Sequence, residues 1–319
     1  MAVCRVCRQR AAVRLKYANL ALCKQHFIEY FERRIFRTIK KYNMMREGDR
    51  VAVAVSGGKD SVAPLYALSS MREKLKVELM GITIDLGIKG YSERSVQIAV
   101  RHYERLSIPY EVVDVREYGF TVDELKGLRR SPCSACGVIK RYLLNKVSRE
   151  MGARVLATGH NLDDFLAVVL QAYIRGDLRL LSKLKPSLPP IDGLIAKVKP
   201  LVETPEKDAL LYVLLRGLEY VEEECPYAVG ATSLEYKALL NQLEDKHPGI
   251  KLQMLRAFLD RIQPLITYEE PPLAICEKCG EPSSGSICQF CRLLELSRTK
   301  LAKNRCRKLN RHTRHSTQA

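Results

Sequence analysis

An α/β fold on a doubly wound parallel sheet is what this sequence predicts, and three observations carry the expectation. From Val51 onward short β-branched runs alternate with segments of helical periodicity. The first run, residues 51–55, ends at Ser56-Gly57-Gly58-Lys59-Asp60-Ser61, and paired cysteines cluster at the two ends of the chain, outside the alternation. A continuous Val-Ala-Val-Ala-Val run suits a strand buried on both faces rather than one with a solvated side.

The N-terminal segment pairs Cys4-x2-Cys7 with Cys23-x2-His26 and runs into an aromatic, basic helical stretch at 27–42. Forty residues cannot bury an apolar core of their own, and four ligands in two knuckles are the closed set that tetrahedral Zn²⁺ prefers. Strands follow at 51–55, 77–84, 110–115 and 155–159, with helices at 62–71, 92–106 and 135–151 between them. Residues 184–190, with prolines at 186, 189 and 190, read as a loop. Helical spacing resumes at 205–218, 234–243 and 250–261. Pro271-Pro272 then marks the boundary to Cys276-x2-Cys279 and Cys288-x2-Cys291, a second zinc set. The expected organisation is a zinc module with linker helix (1–43), a catalytic domain (44–268), a second zinc module (269–297) and a basic tail (298–319).

The net charge of +17 is concentrated at the ends: residues 1–41 carry 11 Lys/Arg against 2 Glu, and residues 292–319 carry 9 against 1. A neutral middle between two basic ends points to a polyanionic partner, RNA or DNA. No stretch is long and apolar enough to span a membrane, and the N-terminus does not resemble a signal peptide, so a soluble cytoplasmic protein is expected. Eleven cysteines in such a chain read as metal or catalytic ligands rather than disulfides.

The glycine-rich hexapeptide has a physical reading. Gly57 and Gly58 let successive N–H groups face one concavity at a helix start, and Lys59 and Ser61 add a charge and a hydroxyl, so the turn suits a phosphate chain. Its spacing is neither that of the nucleotide triphosphatase loop nor GxGxxG. Gly159-His160-Asn161-Leu162-Asp163-Asp164 follows another strand and opens another helix. Asp163 and Asp164 can hold Mg²⁺ against phosphates there, although Asn161 and Asp163 are also ordinary helix starters. Ser131-Pro132-Cys133-Ser134-Ala135-Cys136 places two thiols one turn apart at a helix start, where the dipole favours thiolate, with Lys140 one turn beyond. Cys225 is the third thiol. Three cysteines without a fourth ligand suit a 4Fe–4S cluster with one open iron, or a dithiol pair with a persulfide-carrying cysteine. Cys306, in the tail, reads as incidental.

SGGKDS resembles the pyrophosphate loop (PP-loop) of the ATP pyrophosphatases. Together with PCSACG, TGHNLDD and ECPYAVGATSLEYKALLN, between two cysteine modules, it resembles the tRNA 2-thiouridine synthetases of the two-thioribothymidine type over residues 1 to about 297. The resemblance implies that Ala54, Ser56, Gly57, Gly58, Lys59, Asp60, Ser61, Ile84 and Gly159 bind ATP. It implies that Asp60 and Asp164 organise phosphates and Mg²⁺, that Lys140 assists at the reacting centre, and that Cys133, Cys136 and Cys225 hold a 4Fe–4S cluster. It further implies a tRNA substrate modified at uridine 54, a ubiquitin-like sulfur carrier with a C-terminal thiocarboxylate, and a homodimer. The alternatives are thiolation of wobble uridine 34, a ligase of lysidine-synthetase type with another nucleophile, and a non-catalytic zinc RNA-binding adapter.

Overall fold

The computed structural model describes residues 2–128, 131–228, 232–269 and 271–300. Most of the expected basic tail, with Cys306, lies outside the described residues. At the N-terminus β1 (Val13–Leu15) and β2 (Leu20–Leu22) form an antiparallel hairpin leading into α1 (Lys24–Lys41). The central elements are β3 (Arg50–Ala54), α2 (Lys59–Leu75), β4 (Glu78–Asp85), α3 (Ser92–Leu106), β5 (Tyr110–Asp114), α4 (Pro132–Glu150) and β6 (Val155–Ala157). There follow α5 (Leu162–Ile174), α6 (Leu178–Lys183), β7 (Ser187–Leu188), β8 (Ala196–Val198), α7 (Glu206–Arg216), α8 (Thr232–Lys246) and α9 (Ile250–Ala257), and last the short pair β9 (Ala274–Ile275) and β10 (Pro282–Ser283).

One six-stranded sheet runs β5-β4-β3-β6-β8-β7. Its pairs are parallel except β7 with β8. The chain moves outward from β3 to β5 and returns to lay β6 on the other side of β3. The crevice beyond the carboxyl ends of β3 and β6 is therefore the topological switch point, where such sheets bind ligands. Val51, Ala52 and Val53 are all buried, as a strand covered on both faces requires. Residues 184–190, expected to form a loop, instead carry β7. Its prolines are tolerated because β7 is the sheet's edge, and the Pro186 carbonyl accepts a bond from the Lys199 N–H at 2.9 Å.

Both cysteine modules lean on the central domain. Phe27, Phe31, Ile35 and Ile39 recur every four residues along α1 and are all buried. Phe31 stacks on Tyr212 of α7 with ring centroids 4.2 Å apart. At the other end Phe290 stacks on Tyr142 of α4 at 4.0 Å, and Arg149 of α4 is paired with Glu281. The helix that carries the first two candidate thiols is thus braced by the C-terminal module. No helix among the described residues is long and apolar enough to cross a membrane.

Candidate active site

The loop after β3 closes on itself. The Ser56 N–H donates to Ser61 Oγ at 3.0 Å, and that hydroxyl donates to the Gly58 carbonyl at 2.8 Å, which fixes the start of α2. Gly57 takes a positive φ of 78°, and a Cβ there would stand 2.6 Å from the Ser95 carbonyl oxygen, so only glycine fits. Pro64 within α2 withdraws the amide that would pair with the Asp60 carbonyl in a regular helix. Gly159 crosses at that carbonyl: a Cβ at Gly159 would lie 2.1 Å from its oxygen. The two loops of the switch point are therefore in backbone contact. Between them is a cavity of about 230 Å³ whose lining includes Ala54, Ser56, Asp60, Ser61, Ile84, Lys140, Gly159, His160 and Asp164. Gly57, Gly58 and Lys59 belong to the same turn.

An alternating set of charges occupies its edge. Lys59 Nζ is 2.8 Å from Asp60 and 2.6 Å from Glu206; Lys237 Nζ is 2.5 Å from Asp164 and 2.9 Å from Glu206. Burial pushes the Asp60 carboxyl above its ordinary range, with Lys59 opposing and Glu206 and Asp164 adding to the rise. Asp164 combines two functions. Its side chain closes a capping box with Asn161, the Asp164 N–H donating to Asn161 Oδ1 at 3.0 Å, while its other oxygen faces Lys237. Asp163 does not join it. Its side chain is buried, paired with Lys251 and accepting the Glu206 N–H at 2.8 Å, because its position on α5 faces the core. The carboxylates near the phosphate turn are thus Asp60, Asp164 and Glu206, each paired with a lysine; one or two of them, with phosphate oxygens and water, suit Mg²⁺.

The thiols come to the same end of the sheet. Residues 221–227 link the two halves: the Val221 N–H donates to the Gly57 carbonyl at 2.9 Å, and Cys133 Sγ donates to the Tyr227 carbonyl at 2.8 Å. Burial raises the Cys133 thiol, Cys225 adds to the rise and Lys140 opposes it. Cys136 is raised by burial, against Lys140, with Cys225 and Cys133 adding smaller increments. The expected thiolate bias of the helix start is therefore outweighed by burial. Lys140 touches both halves, since it also lines the cavity between the glycine loops.

The two end modules differ from this trio. In each of the sets Cys4, Cys7, Cys23, His26 and Cys276, Cys279, Cys288, Cys291, the ligand atoms all lie within 4.8 Å of one another, and no other such group occurs among the described residues. Ligands about 2.3 Å from one ion stand about 3.8 Å apart, so both sets fit a single tetrahedral metal. Backbone N–H groups aimed at sulfur outweigh burial at Cys4 and at Cys276 and hold both thiols down to about 6.

A model of the PP-loop domain matches residues 28–228, and a model of the N-terminal LIM domain of 2-thiouridine synthetase TtuA matches residues 3–28. The tRNA-5-methyluridine(54) 2-sulfurtransferase of Thermus thermophilus is 45% identical over 294 residues, 91% of this chain and 90% of the relative. The chain belongs to the PP-loop tRNA 2-sulfurtransferase family. Its relative of the same name in Pyrococcus horikoshii is 41% identical over 92% of this chain and 94% of that protein. Among solved structures, the U34-tRNA thiolase NcsA from Methanococcus maripaludis with its 4Fe–4S cluster superposes with a TM-score of 0.79 at 32% identity, covering 92% of this chain and 95% of that one. Glu206 and Lys237, which complete the charge set at the cavity edge, and Lys251, which holds Asp163 in the core, were not foreseen from the sequence; they come from helices 40 or more residues downstream of Asp163. No local pattern marks them.

Proposed function

We propose that the chain is an ATP-dependent tRNA 2-sulfurtransferase that converts 5-methyluridine 54 of the T-loop to its 2-thio form. The observation that supports this most strongly is that Lys140 lines the cavity beside the phosphate turn and also acts on Cys133 and Cys136, while residues 221–227, which include Cys225, bond to Gly57 on one side and to Cys133 on the other. The relatives at 45% and 41% identity favour position 54 over position 34.

The uracil C2 carbonyl is a poor electrophile, so its oxygen must become a leaving group. Attack of O2 on the α-phosphorus of ATP forms the O2–P bond and expels pyrophosphate. A sulfide sulfur then attacks C2, and AMP departs with the original oxygen. The N–H groups within the turn, between Ser56 and Ser61, cradle the pyrophosphate, and Lys59, drawn from Glu206 to the phosphates, offsets the charge that develops there. Glu206 retains Lys237 as its partner when Lys59 moves. Lys140 offsets charge around the adenylate. Asp60 and Asp164 would hold Mg²⁺, which supplies further neutralisation of the phosphates. Cys133, Cys136 and Cys225 would hold a 4Fe–4S cluster through three irons, leaving one to present sulfur. Zn²⁺ in the two end sets is structural. A ubiquitin-like thiocarboxylate carrier delivers the sulfur, and the enzyme works as a homodimer in the cytoplasm.

The test is nucleoside mass mapping after incubating anaerobically loaded protein with unmodified and 5-methyluridine-containing tRNA, Mg-ATP and sulfide. Sulfur at position 54 with AMP release is expected. Sulfur at 34 moves the assignment to the wobble base, and AMP release without sulfur incorporation overturns the thiolation reading.

A further inference from the structure

A second cavity, of about 380 Å³, lies along another face of α4, between β8, α6 and the C-terminal cysteine module. Arg141, Arg179, Lys183 and Lys197 line it, with Glu281 as the only carboxylate among the described lining residues. Glu281 is already paired with Arg149. Arg179 and Lys183 have interactions of their own. Arg141 and Lys197 form no ion pair with any described residue, although they are close enough for the guanidinium to act on the ammonium. Burial first and then Arg141 push Lys197 below the ordinary lysine range. Two like charges held together in a cleft raise each other's free energy until an anion arrives.

Lys199 follows Lys197 by two residues at the end of β8, on the same side of the strand. Burial and then Lys197 push Lys199 down to about 8, and Lys199 in turn bears on His160 at the edge of the first cavity. Arg141 Nη1 lies 3.2 Å from the place a Cβ on Gly137 would occupy, one turn earlier on α4. Several cations spread from this cleft toward the first cavity match a polymer with repeated anions better than a single small anion.

We propose that this cleft binds the phosphodiester backbone of the RNA substrate, with Arg141 and Lys197 as its principal phosphate ligands. The inference rests on the tRNA thiolation reading and adds to it the path by which the strand next to the target base leaves the catalytic crevice. Neither residue touches the reacting atoms; both hold the strand.

The test is tRNA binding by anisotropy across a salt series for wild type, Arg141→Gln, Lys197→Gln, the double variant and Arg141→Lys. Zinc content and ATP-analogue affinity report folding. Each neutral substitution is expected to lower the slope of log affinity against log salt by about 0.7–0.9, and the double variant to weaken binding at physiological salt by about tenfold or more. Arg141→Lys should retain most of the affinity. Titration with inorganic phosphate is the second arm: phosphate binding lost in the double variant while tRNA binding is unchanged would assign the cleft to a free anion and overturn the RNA assignment. Wild-type protein that binds and thiolates tRNA, with folded variants indistinguishable from it, overturns this inference alone. Wild-type protein that binds no tRNA overturns it together with the proposed function.

Discussion

Gly159→Ala isolates the contact between the two loops of the switch point. The new Cβ would stand 2.1 Å from the Asp60 carbonyl oxygen, 2.7 Å from its carbon and 3.1 Å from the Ser61 Cα. All three are backbone atoms, so no side-chain rotation relieves the overlap. Ordinary contact needs about 3.5 Å, so the loops must part by roughly 1.4 Å. Misplacing reacting groups by about 1 Å costs about 10²-fold in rate, whereas overpacking at one site costs about 1–3 kcal/mol of stability. Gly159→Ala is therefore expected to fold, keep both zinc sets loaded and lose about 100-fold in kcat. The assay is tRNA-dependent AMP release by anaerobically loaded enzyme, with zinc content and thermal unfolding measured on the same samples. Activity within about threefold of wild type would refute the claim that this backbone contact sets the position of the phosphate turn.

Three further predictions follow from particular contacts. Lys59→Ala, which removes the cation from the phosphate turn, should lower AMP formation by about 10²–10³-fold while leaving zinc content unchanged; an effect on KM alone would show uniform binding rather than stabilisation of the departing pyrophosphate. Cys279→Ser should open the C-terminal set and unseat Phe290 from Tyr142, costing α4 about 1 kcal/mol or more of local stability. Hydrogen exchange should then speed up in α4 but not in α1, and unchanged α4 protection would contradict the bracing. Asp208, buried and accepting from Tyr17, has its carboxyl pushed up to about 6 by burial. Its folded value lies above the unfolded one, so its contribution to stability is full below about pH 4 and is lost as the pH rises through 6. Relative to Asp208→Asn, the wild type should therefore gain urea resistance as the pH falls from 8 to 5; a constant difference between the two proteins would reject the shift.

The four parallel strands from β3 to β6 were legible because each is a short stretch rich in apolar or β-branched residues bounded by glycine, polar residues or a turn. The strands β7 and β8 were not. The first has two residues among three prolines, and the second is Ala-Lys-Val with a lysine in its middle, so neither carries a period that can be recognised. The strand order, and with it the switch point, depends on long-range pairing that no local pattern encodes. At the site, the turn and the two Cys/His sets that the fold gathers were legible from spacing alone. Asp163 and Asp164 could not be separated, because adjacent helical positions face directions about 100° apart and only packing decides which one meets Lys251. The surroundings of Cys133 and Cys136 likewise include residues 225–227, some 90 positions away, so the helix dipole was the influence on those thiols visible in the sequence.

The central claim is that Cys225, brought in by the segment bonded to the phosphate turn, belongs to the sulfur-handling site and not merely to the fold. The most direct measurement is tRNA thiolation by Cys225→Ser, prepared anaerobically beside wild type, with iron, zinc and ATP-analogue binding determined on the same protein. The account predicts that zinc and nucleotide binding persist while iron and 2-thiouridine formation are lost. Undiminished thiolated product from the variant would contradict it.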